Sequence, residues 1–228
     1  MAKLNPIYTR ENCSFSCPLQ WGLTVFWRTP ERKDGWFPEL AAATEPDGIR
    51  LLRHRFSEPG ISQFAVSTKI HVSPLLVVQR VKGRLQYLVR DRLPKPFKGN
   101  YAIRSVGNVT RQTAEAYVAD QLGHHGMADA RIQARLEHYQ IERPEVNLSQ
   151  PQRTSHGIYW YNLHIVLVHR ERWTEIREDI LQRLRDMIMG ASEAKGYLLS
   201  RAGILADHVH LVLGCPIEAA PLDVVLAS

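Results

Sequence analysis

Two stretches of this chain, residues 60–79 and 207–226, lie over one another without a gap. They coincide at Pro74 with Pro221 and at Val77-Val78 with Val224-Val225. Each reads as a short apolar strand, a turn, and a helix opened by proline, whose fixed φ and missing N–H suit a first helical turn. A repeated strand, turn and helix constrains the fold more than composition does, because both copies must bury the same apolar faces. Upstream of each copy stands another strand-like run ending in arginine, Trp21–Arg28 in the first half and Tyr161–Arg170 in the second. A helix is predicted over Trp173–Met189, where Ile176, Ile180, Leu181, Leu184 and Ile188 recur at helical spacing and Thr174 is placed to cap it. The order predicts an α+β fold: two tandem ferredoxin-like units, 1–145 and 146–228, each an antiparallel sheet with packed helices. Their shared apolar strands need a partner surface, which predicts that they pair as a pseudo-dimer.

The second copy carries a feature that the first lacks. In Asp207-His-Val-His-Leu-Val-Leu-Gly214, His208 and His210 are i and i+2, so a strand points both imidazoles to one face and turns Val209 to the other. Such a pair is half of a metal site made by one strand, and it equally describes two hydrogen-bonded core histidines. A third oxygen or nitrogen donor must come from elsewhere to complete a site. Asp207 is suitably close to fix an imidazole tautomer, although its side chain starts on the opposite face. In the first copy Ile61 and Gln63 stand where His208 and His210 stand in the second.

The first copy runs on where the second stops. Asn100–Gly107 reads as a strand closed by glycine, and the segment after it as a helix capped by Thr110. There Tyr117 and Gln121 are i and i+4, which offers a phenol and an amide from one helix face. From Leu122 to Gln152 the chain is polar and punctuated by Gly123, Gly126, Pro144 and Pro151, a connector in which residues 128–139 have helical character. His124 and His125 at its start are given no role.

With 228 residues and 44% hydrophobic content, the chain can bury a sizeable core. It has no apolar run long enough to span a membrane and no signal-like N-terminus, so the expected location is cytoplasmic, with no membrane partner. Three cysteines, Cys13, Cys17 and Cys215, are too few and too unevenly spaced for a disulfide or zinc framework and read as free thiols. The net charge of +6 is unevenly spread. Between Arg80 and Arg111 stand Arg80, Lys82, Arg84, Arg90, Arg92, Lys95, Lys98, Arg104 and Arg111 against one acid, Asp91. With Tyr87, Phe97 and Tyr101 interleaved, this stretch reads as a phosphate-backbone footprint with stacking groups rather than a solvated face of mixed sign.

Together these residues resemble the HUH single-strand nucleases, in particular the single-tyrosine transposases of the IS200/IS605 type and their repeat-associated relatives. The resemblance rests on Leu205-Ala-Asp-His-Val-His-Leu-Val-Leu213, with Ala206 where the family usually has proline. It rests also on Ser73-Pro-Leu-Leu-Val-Val-Gln-Arg-Val-Lys-Gly83 and on Tyr117-Val-Ala-Asp-Gln121. It implies a transposase acting in DNA recombination: a single-stranded DNA endonuclease and strand transferase working through a 5′-phosphotyrosine at hairpin-flanked sites. On that resemblance Tyr117 is the nucleophile, His208, His210 and Gln121 hold Mg²⁺ or Mn²⁺, and the partner is hairpin-containing single-stranded DNA. The family's enzymes are dimers in which a tyrosine helix can serve the other subunit's histidines. Here the tyrosine helix follows the first copy and the histidine pair lies in the second, so one chain could assemble a composite site, as a monomeric pseudo-dimer or within a homodimer.

Two rival readings stand beside this one. A duplicated and partly eroded transposase could bind DNA or RNA hairpins without cutting them, as the lost first histidine pair suggests. A metal-binding α+β domain acting on a small molecule is disfavoured by the basic stretch.

Overall fold

The structure is a computed structural model that describes residues 19–29, 31–124 and 129–227. In chain order it comprises β1 (Leu19–Trp27), α1 (Phe37–Thr44), β2 (Ile49–Glu58), β3 (Ile61–Thr68), α2 (Pro74–Val89), β4 (Phe97–Val106), α3 (Arg111–Ala119), α4 (Gln121–His124) and α5 (Ala130–Tyr139). There follow β5 (Ile141–Glu142), β6 (Gln152–Arg153), β7 (Gly157–Trp160), β8 (Asn162–Val168), α6 (Glu178–Lys195), β9 (Leu198–Ile204), β10 (His208–Gly214) and α7 (Pro221–Ala227). The fold is α+β. Two compact units form: the first holds the described residues up to Val106 with 153–159 and 217–227, the second those of 107–152 with 160–216. Compactness therefore divides the chain at other places than the repeat boundary at 145/146, because the segment bearing Tyr117 folds with the sheet that contains the histidine strand.

In the first unit a six-stranded sheet is ordered β2-β3-β1-β4-β7-β6. Strand β1 alternates strictly, with Trp21, Leu23, Val25 and Trp27 buried, as a sheet with one covered face requires. Both indoles find partners on β3: Trp21 Nε1 donates to Thr68 Oγ1 at 2.8 Å and Trp27 Nε1 to Ser62 Oγ at 2.8 Å. Helix α2 begins as its sequence predicts, with Pro74 in the first turn and Ser73 Oγ accepting from the Leu76 amide at 3.2 Å. Its buried stripe of Val77, Val78, Val81, Leu85 and Val89 lies on one helical face. Around its first turn a reciprocal contact forms. The Leu75 amide donates to the Ile217 carbonyl at 3.1 Å, and the Leu222 amide donates to the Ile70 carbonyl at 3.0 Å. Leu75 and Leu222 occupy the same place in the two repeats, as do Ile70 and Ile217.

In the second unit the sheet is ordered β5-β9-β10-β8. Strand β10 is buried along its whole length, so both of its faces are covered. Helix α6 packs on β9 and α5, burying Leu181 and Ile188, and ends at Gly196, whose φ of 66° is the left-handed turn that glycine adopts freely. This helix differs from the expectation. It starts at Glu178 rather than near Thr174, because the Glu175 carboxylate accepts from the Ile176 and Arg177 amides and holds those residues in a turn. The segment after Leu122 also proves more than a connector: Leu136, Tyr139, Ile141 and Leu148 are buried, and β5 extends the sheet beside β9.

The sheets share a three-strand core. In each, the strand before the turn and helix is flanked by the same two neighbours, giving β2-β3-β1 and β9-β10-β8. The registers agree as well. Ile61 faces Phe26 and Gln63 faces Thr24, while His208 faces Val168 and His210 faces Val166.

Candidate active site

The expected tyrosine helix is α3, capped as predicted by Thr110, whose Oγ1 accepts from the Thr113 amide at 3.1 Å. It does not continue to Gln121 as one helix. Asp120 ends α3 with φ −97° and ψ 8°, and Gln121 opens the four-residue α4. The i,i+4 link survives the break, since Gln121 Nε2 donates to the Tyr117 carbonyl at 3.3 Å.

Helix α3 lies on β9 and β10. Gly203, opposite His210 in register, permits this: a Cβ there would meet the Val118 side chain at 3.2 Å and its carbonyl at 3.4 Å. Val118 packs with Leu148 and Val212, while Ser200 Oγ donates to Glu115 Oε1 at 2.7 Å, fixing the helix along the strand. Glu115 is in turn paired with Arg111 at 2.5 Å.

Within the second unit this docking sets Tyr117 against the histidines. Its ring meets the His210 imidazole edge-on with centroids 5.6 Å apart, and His208 and His210 stand 4.9 Å apart. Both imidazoles are buried, whereas Tyr117 is 44% exposed and open to a substrate. Each ring is oriented through Nδ1. His208 Nδ1 meets Asp207 Oδ1 at 2.5 Å, and His210 Nδ1 meets His164 Nε2 at 2.9 Å. The Asp207 carboxylate can only accept, so His208 donates through Nδ1 and keeps its lone pair on Nε2, the tautomer that a metal ligand needs. Burial alone would raise the Asp207 carboxyl, but hydrogen bonds from His208 and Arg172 outweigh it and hold the group below the usual carboxylate range.

Sequence reasoning missed His164. It lies on β8 opposite Val212, a diagonal cross-strand neighbour of His210 stacked on it with centroids 5.2 Å apart. The signal was its position in the strand Tyr161–Arg170, but only the register brings it beside the pair.

Among the described residues no three His, Cys, Asp or Glu side chains converge as a metal cluster. The donors expected from the sequence are two imidazoles on β10 and the amide of Gln121, which is tied to the Tyr117 carbonyl. Gln121 Oε1 is buried and has no hydrogen-bond partner, which for an amide oxygen costs about 1–3 kcal/mol unless something else satisfies it. Two imidazoles with an unsatisfied amide oxygen fit a divalent cation of borderline hardness.

The basic stretch is divided by tertiary structure. Arg84 pairs with Asp47 at 2.6 Å, Arg80 approaches the same carboxylate at 3.6 Å, and Arg92 pairs with Glu31 at 2.5 Å. Lys82 Nζ donates to the carbonyls of Lys98, Gly99 and Asn100, and burial pushes its ammonium pKa down. Arg90 stacks on Tyr87 at 3.8 Å and lies 3.7 Å from Asp91. Lys95, Lys98 and Arg104 are exposed and have no acidic partner among the described residues. Cys215 is free and buried; Cys13, Cys17 and His125 lie outside the described residues. No helix among those residues is long and apolar enough to cross a membrane.

The sequence of residues 158–227, which contains β8, α6, β9, β10 and α7, matches the family described as "Transposase IS200 like". Over that span the chain is similar to the IS200-like transposases. The matched part includes His164, His208 and His210, while Tyr117 and Gln121 lie outside it. A solved structure of a candidate transposase from Deinococcus radiodurans R1 aligns with 50% of the chain and 98% of its own length, at 15% identity and a TM-score of 0.37. No curated protein matches the chain significantly.

Proposed function

We propose that the protein is a metal-dependent single-stranded DNA endonuclease and strand transferase. Tyr117 is its nucleophile, and its targets are flanked by hairpins. The observation that carries this reading is Tyr117 standing edge-on to His210 beside Gln121, whose buried Oε1 lacks a partner. His208, His210 and Gln121 would hold Mg²⁺ or Mn²⁺, which when bound supplies charge neutralisation at the phosphodiester. Asp207 holds the His208 imidazole in the ligating tautomer, and His164 would orient that of His210. The Tyr117 oxygen attacks phosphorus, the bond from phosphorus to the 3′ oxygen breaks, the phenolic proton is lost, and the departing 3′ oxygen takes up a proton. The products are a 5′-phosphotyrosine and a free 3′-OH, and the retained phosphodiester allows rejoining to another strand.

The shared three-strand core and the reciprocal Leu75–Ile217 and Leu222–Ile70 bonds support descent of both repeats from one ancestral unit joined as a pseudo-dimer. Phosphate contact by the stretch from Arg80 to Arg104 belongs to the same reading, with Lys95, Lys98 and Arg104 exposed members that no carboxylate among the described residues neutralises.

A second reading, a protein that binds DNA or RNA hairpins without cutting, is favoured by the first sheet, where Ile61 and Gln63 occupy the histidine positions. One experiment separates the two. Labelled single-stranded hairpin DNA is incubated with the protein and Mn²⁺ or Mg²⁺ and resolved on a denaturing gel. A covalent protein–DNA band is expected; binding without any such band would leave the non-cleaving reading.

A further inference from the structure

Among the described residues, the sheet face of the first unit that corresponds, strand for strand, to the histidine face of the second carries neither histidines nor a covering helix. Ile61, Gln63 and Gly22 stand there at the positions of His208, His210 and His164. Interior strands normally have one face under helices and the other exposed or covered in turn. Here Ala65, in the middle of an interior strand, is exposed, so the face is open.

The charged residues around it are mostly basic. Across the four strands the register gives a row Arg53, Ala65, Gly22, Arg104, and the next row begins Arg55, Gln63. Arg53 and Arg104 thus flank two residues with almost no side chain, three strand spacings apart, about 14 Å between backbones. Neither is paired with an acid among the described residues, and Arg55 Nε donates to the neutral Gln63 Oε1 at 2.8 Å. Glu58, opposite Ile61 at the end of β2, is the carboxylate on the rim of this face. Arg104 does not stand up into solvent. A Cβ built on Gly22 would lie 3.5 Å from both its Cγ and its Nε, so the side chain runs flat over Gly22. A guanidinium lying flat on a sheet offers its plane to an unstacked base and its edge to phosphate.

We infer that this vacated face of the first unit is a binding platform for single-stranded nucleic acid, with Arg53, Arg55 and Arg104 contacting the backbone. It rests on the nucleic-acid reading of the protein and adds to it a surface distinct from the Tyr117 site. Duplex is disfavoured as the occupant because a shallow floor of Ala65 and Gly22 suits a single strand with bases turned onto the guanidinium planes, and no element projects from it to enter a groove.

The test is fluorescence anisotropy of a labelled oligothymidylate of about 20 nucleotides against the full chain, over about 50–200 mM salt. The wild type is compared with Arg53→Ala/Arg104→Ala and with Ala65→Glu, an exposed position that can accept a longer side chain. Each lost phosphate contact removes about 0.7 from the salt slope, or about fivefold in affinity near 0.1 M salt, so the double variant should bind about 25-fold more weakly with a slope shallower by about 1.4. Ala65→Glu should weaken binding at least as much, with unfolding curves matching wild type. Unchanged affinity and slope in both variants overturn the platform. Failure of the wild type to bind the oligonucleotide overturns the nucleic-acid reading itself. A shift to smaller assemblies in sedimentation for Ala65→Glu, with oligonucleotide binding intact, assigns the face to a second copy of this chain and likewise overturns the proposal. Adduct formation at saturating DNA, read in the same preparations, isolates a loss on this face from a loss at Tyr117.

Discussion

Tyr117 and His210 meet edge to face, their ring centroids 5.6 Å apart, although 93 positions separate them in the chain. The phenol is exposed and the imidazole buried, an arrangement suited to an attacking group that reaches out from a fixed site. Tyr117→Phe keeps the ring and its contact with His210 while removing the oxygen proposed to attack. The covalent band on a denaturing gel should fall to background, with oligonucleotide affinity within about twofold of wild type. An adduct that persists in this variant would move the nucleophile elsewhere.

Gln121 is expected to show a conflict between stability and function. Its Oε1 is buried without a partner, and its Nε2 makes a single 3.3 Å bond to the Tyr117 carbonyl. Replacing it with Met, of similar volume, removes the unsatisfied oxygen at the loss of one ordinary hydrogen bond. In a chelator-containing buffer, Gln121→Met should be more stable than wild type by about 1 kcal/mol in urea unfolding, while calorimetric Mn²⁺ binding weakens. A destabilised variant with unchanged Mn²⁺ affinity would show that the amide serves packing alone.

His164 acts through His210. Its Nε2 lies 2.9 Å from His210 Nδ1, so removing it frees the imidazole to flip or change tautomer. His164→Ala should weaken Mn²⁺ binding about 10-fold, and His164→Gln, which can still accept a hydrogen bond, should restore part of it. Equal losses in both variants would point to lost packing and not to orientation of the ring.

His54 supplies a pH dependence in the first unit. Its side chain is 1% exposed and sits among Trp36, Phe56 and Phe64, with centroids 4.6 to 4.8 Å away. Burial lowers its pKa below the ordinary value of 6.5, and the hydrogen bond and charge of Asp34 offset this only in part. Because the folded value lies below the unfolded one, protonation favours unfolding. The contribution is fully present above about pH 6.5 and is lost as pH falls through the depressed folded value, by at most about 1.4 kcal/mol per pH unit. Urea unfolding followed by tryptophan fluorescence, in a Trp160→Phe/Trp173→Phe background, reports this unit through Trp21, Trp27 and Trp36. Stability should drop between pH 7 and 5, and His54→Gln should flatten that drop; parallel curves for both proteins would exclude His54 as the cause.

Much of the local structure was legible in the chain itself. The alternation of Trp21 to Trp27, the Ser73-Pro74 and Thr110 helix starts and the His-Val-His strand all follow from nearest-neighbour sterics, capping and a period of two, which depend on residues close in sequence. Where local competition decided, the reading slipped: the Glu175 carboxylate captured the amides that Thr174 was expected to serve, and Asp120 broke the helix between Tyr117 and Gln121. The sequence also could not say which carboxylates neutralise which arginines. Asp47 and Glu31 reach Arg84 and Arg92 from distant segments, whereas Arg53 and Arg104, in no common motif, flank the same open row of a sheet. Nor could it bring His164 to His210 or leave Gln121 Oε1 unsatisfied, because both depend on cross-strand register and on how closely α3 can approach over Gly203. Residue types and their periodicity determined what each segment would become. Which side chains share a site was decided by long-range strand pairing and helix docking, since these bring together groups whose separation along the chain carries no information about their separation in space.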